Sequence, residues 1–527
     1  MSIRVTRQFP EDPLISLPPL TRHLPEFART KKLTQERMDG LKINSDGYLW
    51  PEEEKPFQHI FSINERVLAF EDADRGTFRE DYFSPYIIPT ISHVPSVNQN
   101  IPISPGIFIV PLKMVLRSEE EWQAMIATLD DFVELFAGRK CYTVLDLFWA
   151  FDARKLDPIS RDLTAFQTPL GLLRITLMPM GFTNSPAEFQ ACMTFVLQDE
   201  IPHTANVFIS DLPIKGPPTE CLDDTGKLER FSHSARKRPR PPRHSLARAK
   251  TLAGTHQRRF IWEHAQDVHQ ILHWVGHAGI TFSGLKAQIC KPEVVIVRQK
   301  CTPEGRMPED DEVAKIRSWM VPKTVKEVRG FIGLCGTVRI WIENFTEKVH
   351  PLRELTLNGA EFVWDDRWQA AFDSLKDHMA SASALRPIDY TSTNPVILSV
   401  DSSKYAVGFI LSQIDDDGRR RPARYGSLPM NETESNYSQP KLELDGLYQA
   451  LRQWRLYLVG VKTLHVEVDA KYIQGMLNEP DLQPNATINR WIPGIPLFDF
   501  KLIHVPTTQH KGPDDLSRRP MAEGERD

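Results

Sequence analysis

The sequence has few cysteines, and their arrangement suggests no metal or disulfide framework. Six cysteines occur among 527 residues, at positions 141, 192, 221, 290, 301 and 335. None forms a C-x-x-C pair, so their spacing indicates neither a zinc site nor a set of disulfide bonds. Scattered single cysteines are typical of a reducing compartment, and we expect an intracellular protein, cytoplasmic or nuclear or both.

Long apolar runs are also missing. No stretch approaches the ~18 consecutive apolar residues of a membrane span, and the N-terminus lacks the apolar core of a signal peptide. The sequence therefore favours a soluble protein without a membrane partner.

No strong excess of charge is present, since the formal net charge is −5. This balance excludes little, because nucleic-acid enzymes often collect their basic side chains in one groove. A length of 527 residues exceeds what one core supports, so we expect two to four domains.

Two segments lack a regular pattern. The first hundred residues are rich in proline and charge, and we expect a loosely structured leader with a short helix around Thr34–Lys42. Residues 236–250 contain seven Lys or Arg and no acid. Three interpretations of this basic segment stay open: a solvated disordered insert, a nuclear-localisation or nucleic-acid patch, and the scar of a translated frameshift.

Four acidic residues near the C-terminus stand at predicted element ends or on a helix. They are Asp401 after the strand 395–400, Glu443 near the first turn of a helix that follows Ser438, Asp469 after the strand 464–468, and Asp514 at the start of a last helix. Each acid alone could be a surface charge or a helix cap. A converging set would repel itself, and divalent cations relieve that repulsion. Two Mg²⁺ or Mn²⁺ ions about 4 Å apart can activate water against a phosphodiester.

The C-terminal region resembles the RNase H domain of gypsy-type LTR retrotransposons. The resemblance spans roughly residues 385–520 and rests on VDSSKYAVGFILSQ, NYSQPKLEL, VEVDAKY and HVPTTQHKGPDDLSRR. It implies that Asp401, Glu443, Asp469 and Asp514 are the catalytic, metal-binding tetrad of an endonuclease that cuts the RNA strand of RNA–DNA hybrids. One departure is Thr507, which stands where the family usually has Gly.

Residues 130–216 resemble the reverse-transcriptase palm of the same family. The matching segments are DDFVELFAGRKCYTVLDLFWAFDAR, TAFQTPLGLLRITLMPMGFTNSPAEFQ and VFISDLPIKGP. The resemblance implies that Asp146 and Asp211 are catalytic metal ligands acting on an RNA or DNA template-primer. It also implies that Phe151 crowds a ribose 2′-hydroxyl and that Gln190 belongs to the substrate-binding segment. Without the family, Phe151 could equally be a core residue.

Three departures from the family predict an impaired polymerase in a degenerate copy. Ser210 replaces the first Asp of the paired aspartates, and loss of that ligand costs roughly 3–5 kcal/mol of transition-state stabilisation. The finger segment around Lys113 and Arg117 is too short and has the wrong context. Arg298 occupies a turn position where the family usually has Gly, which tolerates backbone angles that Arg does not.

The segment 324–352 resembles the family's link between thumb and RNase H. Lys326, Arg329, Arg339 and Trp341 could follow a nucleic-acid backbone there. The alternative is a packing helix with solvated cations.

Together these patterns predict a multidomain α+β and α/β chain. A palm- and thumb-like module with a helical connection precedes an RNase H-like α/β domain with a mixed five-stranded sheet. The predicted domains are a leader (1–100), a palm with incomplete fingers (101–219), a basic disordered insert (220–259), the remaining palm and thumb-like segment (260–322), the connection (323–390), the RNase H-like domain (391–520) and a tail (521–527).

The expected function is that of a reverse transcriptase/RNase H protein with hybrid-cleaving activity and impaired DNA synthesis. Two alternatives stay open. One is a competent RNA-directed DNA polymerase, and the other is a non-catalytic relic that binds nucleic acid.

Overall fold

The computed structural model describes most of the chain. The described residues are 7–21, 24–88, 129–168, 171–180, 182, 184–218, 258–357, 359–360, 362–469, 472–478, 491, 494–495 and 498–505. The predicted basic segment 236–250 and residues Lys113, Arg117 and Asp514 therefore lie outside them. Within the described ranges, no helix combines the length and apolar character needed to cross a bilayer.

The helices of the described residues are distributed along the whole chain. They are α1 (Gln35–Gly40), α2 (Pro51–Ile63), α3 (Leu129–Glu134), α4 (Pro158–Arg161), α5 (Ser185–Val196), α6 (Arg259–Ala278), α7 (Asp310–Ser318), α8 (Val325–Thr337), α9 (Phe345–Glu354), α10 (Asp366–Ala380), α11 (Gln439–Gln453), α12 (Arg455–Leu458) and α13 (Tyr472–Asn478).

The strands form several small sheets and one larger one. They are β1 (Leu68–Ala69), β2 (Tyr142–Asp146), β3 (Phe166–Thr168), β4 (Gly171–Leu173), β5 (Asp211–Lys215), β6 (Phe282–Ser283), β7 (Gln288–Lys291), β8 (Val294–Ile296), β9 (Gln299–Thr302), β10 (Gly305–Pro308), β11 (Val396–Ser402), β12 (Ala406–Ile414), β13 (Arg420–Pro429), β14 (Leu464–Val468) and β15 (Lys501–His504).

Contacts divide the chain into two compact units. The first contains the described residues of 1–100 and 139–294, and the second contains those of 127–138 and 295–527. The boundary after Val294 differs from the predicted one at 322. Residues 295–322 belong to the second unit because α7 packs there, with Ile316 in one core with Phe331 and Phe372.

The first unit is built on the antiparallel sheet β5-β2-β7, in which β2 is central. Helices α5 and α6 cover it, and Phe189, Met193, Ile271 and Leu272 join its core. The α6 helix ends at Gly279, whose φ of 86° is a left-handed conformation that glycine adopts without strain.

The prediction of a loosely structured leader is wrong for the described part of residues 1–100. The α1 helix does match the predicted short helix, and Thr34 caps it by accepting a hydrogen bond from the Arg37 N–H. The α2 helix buries Phe57 and Phe61 completely in the core of the first unit. The helix was not predicted because of its prolines. One lies at the first helical position, where proline is tolerated, and the other lies inside the helix.

The second unit contains a helical core and a sheet core. Helices α7 to α10 share the helical core, and Ile410 and Tyr425 of the sheet join it. Thr324 begins α8 by accepting the Glu327 N–H at 3.3 Å, as expected for an N-cap. Trp341 is buried there, and its Nε1 donates to the Arg306 carbonyl at 3.2 Å. The packing interpretation is therefore correct for Trp341, whereas Lys326, Arg329 and Arg339 are exposed.

The large sheet has the order β13-β12-β11-β14-β15. Strands β13, β12 and β11 are antiparallel neighbours, while β11, β14 and β15 run parallel. The α11 helix packs Leu444, Leu447 and Leu451 against one face of this sheet. The prediction of a mixed five-stranded α/β domain is confirmed.

Candidate functional site

Three of the four predicted C-terminal acids converge at one edge of the large sheet. Asp401 lies near the end of β11, and Asp469 follows β14. These strands are parallel neighbours in which Ser399 pairs with Glu467, so both acids stand two positions beyond a register pair. Glu443 reaches the same place from α11, one turn after the helix begins. Asp514 lies outside the described residues.

The electrostatics of Glu443 reflect this convergence. Its side chain is buried, and its Oε1 accepts a hydrogen bond of 2.6 Å from Gln439 Nε2. Burial, together with the nearby charges of Asp401 and Asp469, raises the pKa of Glu443 to about 7 against the opposing effect of the Gln439 hydrogen bond. A carboxyl group so placed is stabilised as an anion only when positive charge joins it.

The donor set fits hard divalent cations. Three carboxylates within electrostatic reach of one another offer the anionic oxygens that Mg²⁺ and Mn²⁺ prefer. Tyr472, which follows Asp469, has its pKa raised to about 12 by burial and by the charges of Glu443 and Asp469. The residues present are therefore suited to hold such ions.

A buried polar network lies immediately behind these acids. Arg420 of β13 donates from Nη1 to both carboxylate oxygens of Glu467, at 3.0 and 2.9 Å. Ser399 Oγ donates to Glu467 Oε2 at 2.7 Å, and Arg420 Nε donates to Ser412 Oγ at 2.8 Å. The network thus joins four strands of the sheet behind Asp401 and Asp469.

The connection also contributes an acid near this cluster, which the sequence analysis did not predict. Burial raises the pKa of Glu343, Lys348 lowers it, and Asp401 raises it again. The neighbouring Asn344 lies over Gly408, where an added Cβ would collide with Asn344 Oδ1. Gly408 is the register partner of Asp401, so the segment 343–348 reaches the acidic edge. Gly408, the register partner of Asp401, was the sequence feature that could have indicated the close approach of this segment.

A second site lies in the first unit, at the end of β2. Asp146 and Asp211 are antiparallel register partners on β2 and β5. The chain makes a tight hairpin turn immediately before β5, in which Phe208 and Asp211 exchange backbone hydrogen bonds of 2.9 Å. Ser210 stands at the tip, and its carbonyl accepts the Leu147 N–H at 2.8 Å. The substituted position therefore lies beside the two remaining carboxylates.

Lys286 is a member of this site that sequence reasoning missed. Its Nζ lies 2.7 Å from Asp146 Oδ2. Burial and the charge of Asp146 raise the pKa of Asp211, and Lys286 opposes that rise. Lys286 and Asp146 line a cavity of about 410 Å³ together with Ser210 and Phe151. Two carboxylates and a hydroxyl form a poorer donor set for two cations than three carboxylates do.

The two predicted substrate-binding residues occupy different places. Phe151 lines the cavity and packs edge-on against Phe189 with ring centroids 5.8 Å apart, so its binding and packing roles are compatible. Gln190 supports the hairpin: it accepts the Ile209 N–H and donates to the Val207 carbonyl, both at 2.8 Å. Direct contact of Gln190 with a substrate stays a prediction.

The turn at Arg298 has a left-handed backbone conformation, the kind of conformation for which the family's usual Gly is suited. Val297 and Arg298 lie between β8 and β9 with φ values of 46° and 63°. Two consecutive residues with positive φ are typical of a type I′ hairpin, which favours Asn and Gly. Arg298 is thus held in a strained backbone conformation.

Comparisons with known proteins identify two family domains in the chain. Residues 107–216 match the model of the reverse transcriptase (RNA-dependent DNA polymerase) family, and residues 364–466 match the RNase H-like domain found in reverse transcriptase. The Tf2-7 transposon polyprotein of Schizosaccharomyces pombe is 23% identical over 391 residues. That alignment covers 74% of this chain, but the chain spans only 26% of the polyprotein.

Solved structures share the fold at low identity. The foamy viral protease-reverse transcriptase dRH in complex with double-stranded DNA has a TM-score of 0.66 at 18% identity, covering 92% of this chain and 84% of that one. The foamy viral protease-reverse transcriptase in complex with an RNA/DNA hybrid has a TM-score of 0.62 at 17% identity, covering 94% and 67%. These likenesses show the fold.

Proposed function

Because the chain belongs to the pol proteins of Ty3/gypsy-type retrotransposons and carries reverse transcriptase and RNase H-like domains, we propose that it is a divalent-metal-dependent endonuclease for the RNA strand of RNA–DNA hybrids. In this proposal the reverse-transcriptase part is degenerate and mainly binds nucleic acid. The substrate is recognised by its groove shape and its 2′-hydroxyls.

The observation that carries the proposal is the meeting of Asp401, Glu443 and Asp469 at one sheet edge. Glu443 is buried beside two other acids, and burial together with their charges raises its pKa, which is typical of a functional site. Bound Mg²⁺ or Mn²⁺ ions would lower the pKa of the attacking water and offset charge on the phosphate. The three carboxylates would hold those ions, with Asp514 as the expected fourth ligand.

Hybrid cleavage by the purified chain tests this proposal. With Mg²⁺ or Mn²⁺ present, we expect the RNA strand of a labelled hybrid to be cut, and Glu443→Gln or Asp469→Asn to lower the rate about 10²–10⁴-fold. Asp445→Asn is the matched control. Asp445 lies on the same helix, is buried, and has its pKa raised to about 6 by burial, but it pairs with Gln449 outside the cluster.

The control variant should keep the wild-type rate. Intact hybrid RNA in every condition would exclude the endonuclease. If the chain then still bound hybrids in a salt-sensitive manner, unchanged by Asp401→Asn, the non-catalytic relic would be the better interpretation.

A competent RNA-directed DNA polymerase is the second candidate. It is favoured by the cavity that Asp146 and Phe151 line, since the family resemblance implies that Phe151 contacts a nucleotide sugar. Ser210 weighs against it, because a neutral hydroxyl is a poor replacement for a carboxylate that bridges two cations. Primer extension that rises with deoxynucleotide concentration would support this candidate over the endonuclease alone.

A further inference from the structure

Three residues that are far apart in the sequence bring soft metal ligands together inside the first unit. They are Cys141 immediately before β2, His264 on α6 and Cys290 on β7. Their ligand atoms all lie within 4.8 Å of one another. Each residue is at most 1% exposed, so water does not compete for these groups.

One ring nitrogen of His264 is hydrogen-bonded, and the other is available to a ligand. Its Nε2 is hydrogen-bonded to Thr143 Oγ1 at 2.8 Å. Its Nδ1 is fully buried and has no hydrogen-bond partner among the described residues. A buried ring nitrogen without a hydrogen-bond partner costs free energy. At metal centres, a histidine usually binds the metal through one ring nitrogen and a neighbouring group through the other.

Thr143 links the histidine to the second cysteine. Its Oγ1 also accepts the Cys290 N–H at 3.0 Å, which fixes the backbone from which the thiol projects. Cys290 itself has a φ of 47°, at an irregularity in the pairing of β2 with β7. Left-handed backbone at a buried non-glycine residue costs about 1–2 kcal/mol, and such strain concentrates where geometry serves a ligand.

Charge favours a divalent cation. Two thiolates and one imidazole around a divalent cation are neutral in sum, so binding leaves no net charge in the interior.

We propose that Cys141, His264 and Cys290 form a structural site for a thiophilic divalent cation, with Zn²⁺ as the expected ion. Tetrahedral zinc places sulfur and nitrogen ligands about 3.3–3.8 Å apart, so the three ligand atoms would move closer on binding and a fourth, exogenous ligand would complete the coordination. The site joins α6 to the sheet of the first unit. Cys141 lies at the start of β2, whereas Asp146 ends that strand, so the ion has no part in catalysis.

Metal analysis of the full chain tests the proposal. After purification in zinc-containing buffer and desalting, we expect about one zinc per chain in the wild type. Cys290→Ser and His264→Ala should reduce it to background. Cys192→Ser and Cys301→Ser are the controls, because both cysteines are buried elsewhere in the fold, and these variants should retain the metal.

Co²⁺ titration of the metal-free wild type keeps the test independent of how the variants fold. We expect thiolate-to-cobalt charge-transfer absorption that saturates at about one equivalent and disappears on adding Zn²⁺. Absence of this absorption, metal retained equally by Cys290→Ser, or a Cys141–Cys290 disulfide found by mass spectrometry in the freshly purified protein would each overturn the proposal.

Discussion

Ser399 and Glu467 face each other across β11 and β14 and share a hydrogen bond of 2.7 Å. Two residues further along each chain segment stand Asp401 and Asp469. Residues on one face of a strand recur every two positions. The buried pair therefore sets the distance between Asp401 and Asp469. Arg420 completes the pair by neutralising Glu467, so three strands are held together behind the candidate site.

This arrangement predicts that Arg420 positions the acids without touching substrate. Arg420→Met leaves the buried carboxylate of Glu467 without its cationic partner, which should lower the free energy of unfolding by about 3–5 kcal/mol and hybrid cleavage more than about tenfold. The double variant Arg420→Met with Glu467→Met should regain much of the stability but not the cleavage rate. Urea unfolding and single-turnover cleavage separate the two effects, and recovery of both in the double variant would contradict a positioning role.

Arg421→Met supplies the matched control for that experiment. Arg421 follows Arg420 on β13, and its Nε lies 2.9 Å from Oδ2 of Asp415 in the preceding turn, but this pair is partly exposed. Exposed pairs contribute about 0–1 kcal/mol, so this variant should unfold and cleave nearly as the wild type does.

A second prediction concerns the hairpin tip at Ser210. If this substitution is the main defect of the polymerase site, Ser210→Asp should raise primer extension about 10²–10⁴-fold. The isosteric but uncharged Ser210→Asn should not. Both rates are measured with Mg²⁺ and with Mn²⁺ on a primed RNA template. Equal, negligible rates for both variants would place the defect in the finger segment instead.

The strained turn before β9 gives a third prediction. Arg298→Gly should stabilise the second unit by about 0.5–1 kcal/mol, because relief of left-handed strain exceeds the added entropy of the unfolded chain. Arg298→Ala removes the same charge but keeps the Cβ, and should give no gain. Chemical denaturation of the three proteins measures the difference. A larger gain for Ala than for Gly would show that charge rather than backbone strain is responsible.

The stability of the first unit should depend on pH through His273. Burial, followed by the neighbouring His277, lowers the pKa of His273 to about 4, and its Nε2 lies 2.9 Å from the Pro13 carbonyl. The unfolded chain takes up a proton near pH 6.5 and the folded chain does not until about pH 4. Stability is therefore present above pH 6.5 and is lost as the pH falls toward 4, by about 2–3 kcal/mol.

His273→Gln removes this titration while keeping a hydrogen-bond donor. The difference in unfolding free energy between wild type and variant should shrink as the pH falls from 7 to 4.5. A difference that stays constant over this range would show that His273 does not carry the effect.

Much of the C-terminal domain could be predicted from sequence because its pattern is local. The strand 464–468 and the apolar face of α11 follow directly from spacing, and the three described acids stand where that spacing put them. The prediction of a mixed five-stranded sheet came from the family resemblance and not from periodicity.

Other features could not be predicted because they depend on distant pairings. Cys141, His264 and Cys290 have no motif spacing, and only the fold brings them together. The contribution of Lys286 to the Asp146 site likewise depends on β7 pairing with β2. The leader was misjudged because helix α2 takes its stability from burial against the first unit and not from its own composition.

The sequence pattern does not indicate strand β13, because Pro422, Pro429 and a run of arginines interrupt the alternation of apolar and polar residues. It is an outer strand of the large sheet, with a pairing irregularity opposite Leu411 and Ser412. Prolines and the partly exposed Arg421 at such a position hinder the addition of a foreign strand. The features that make β13 hard to recognise should thus protect the folded chain from edge-to-edge aggregation when it is concentrated.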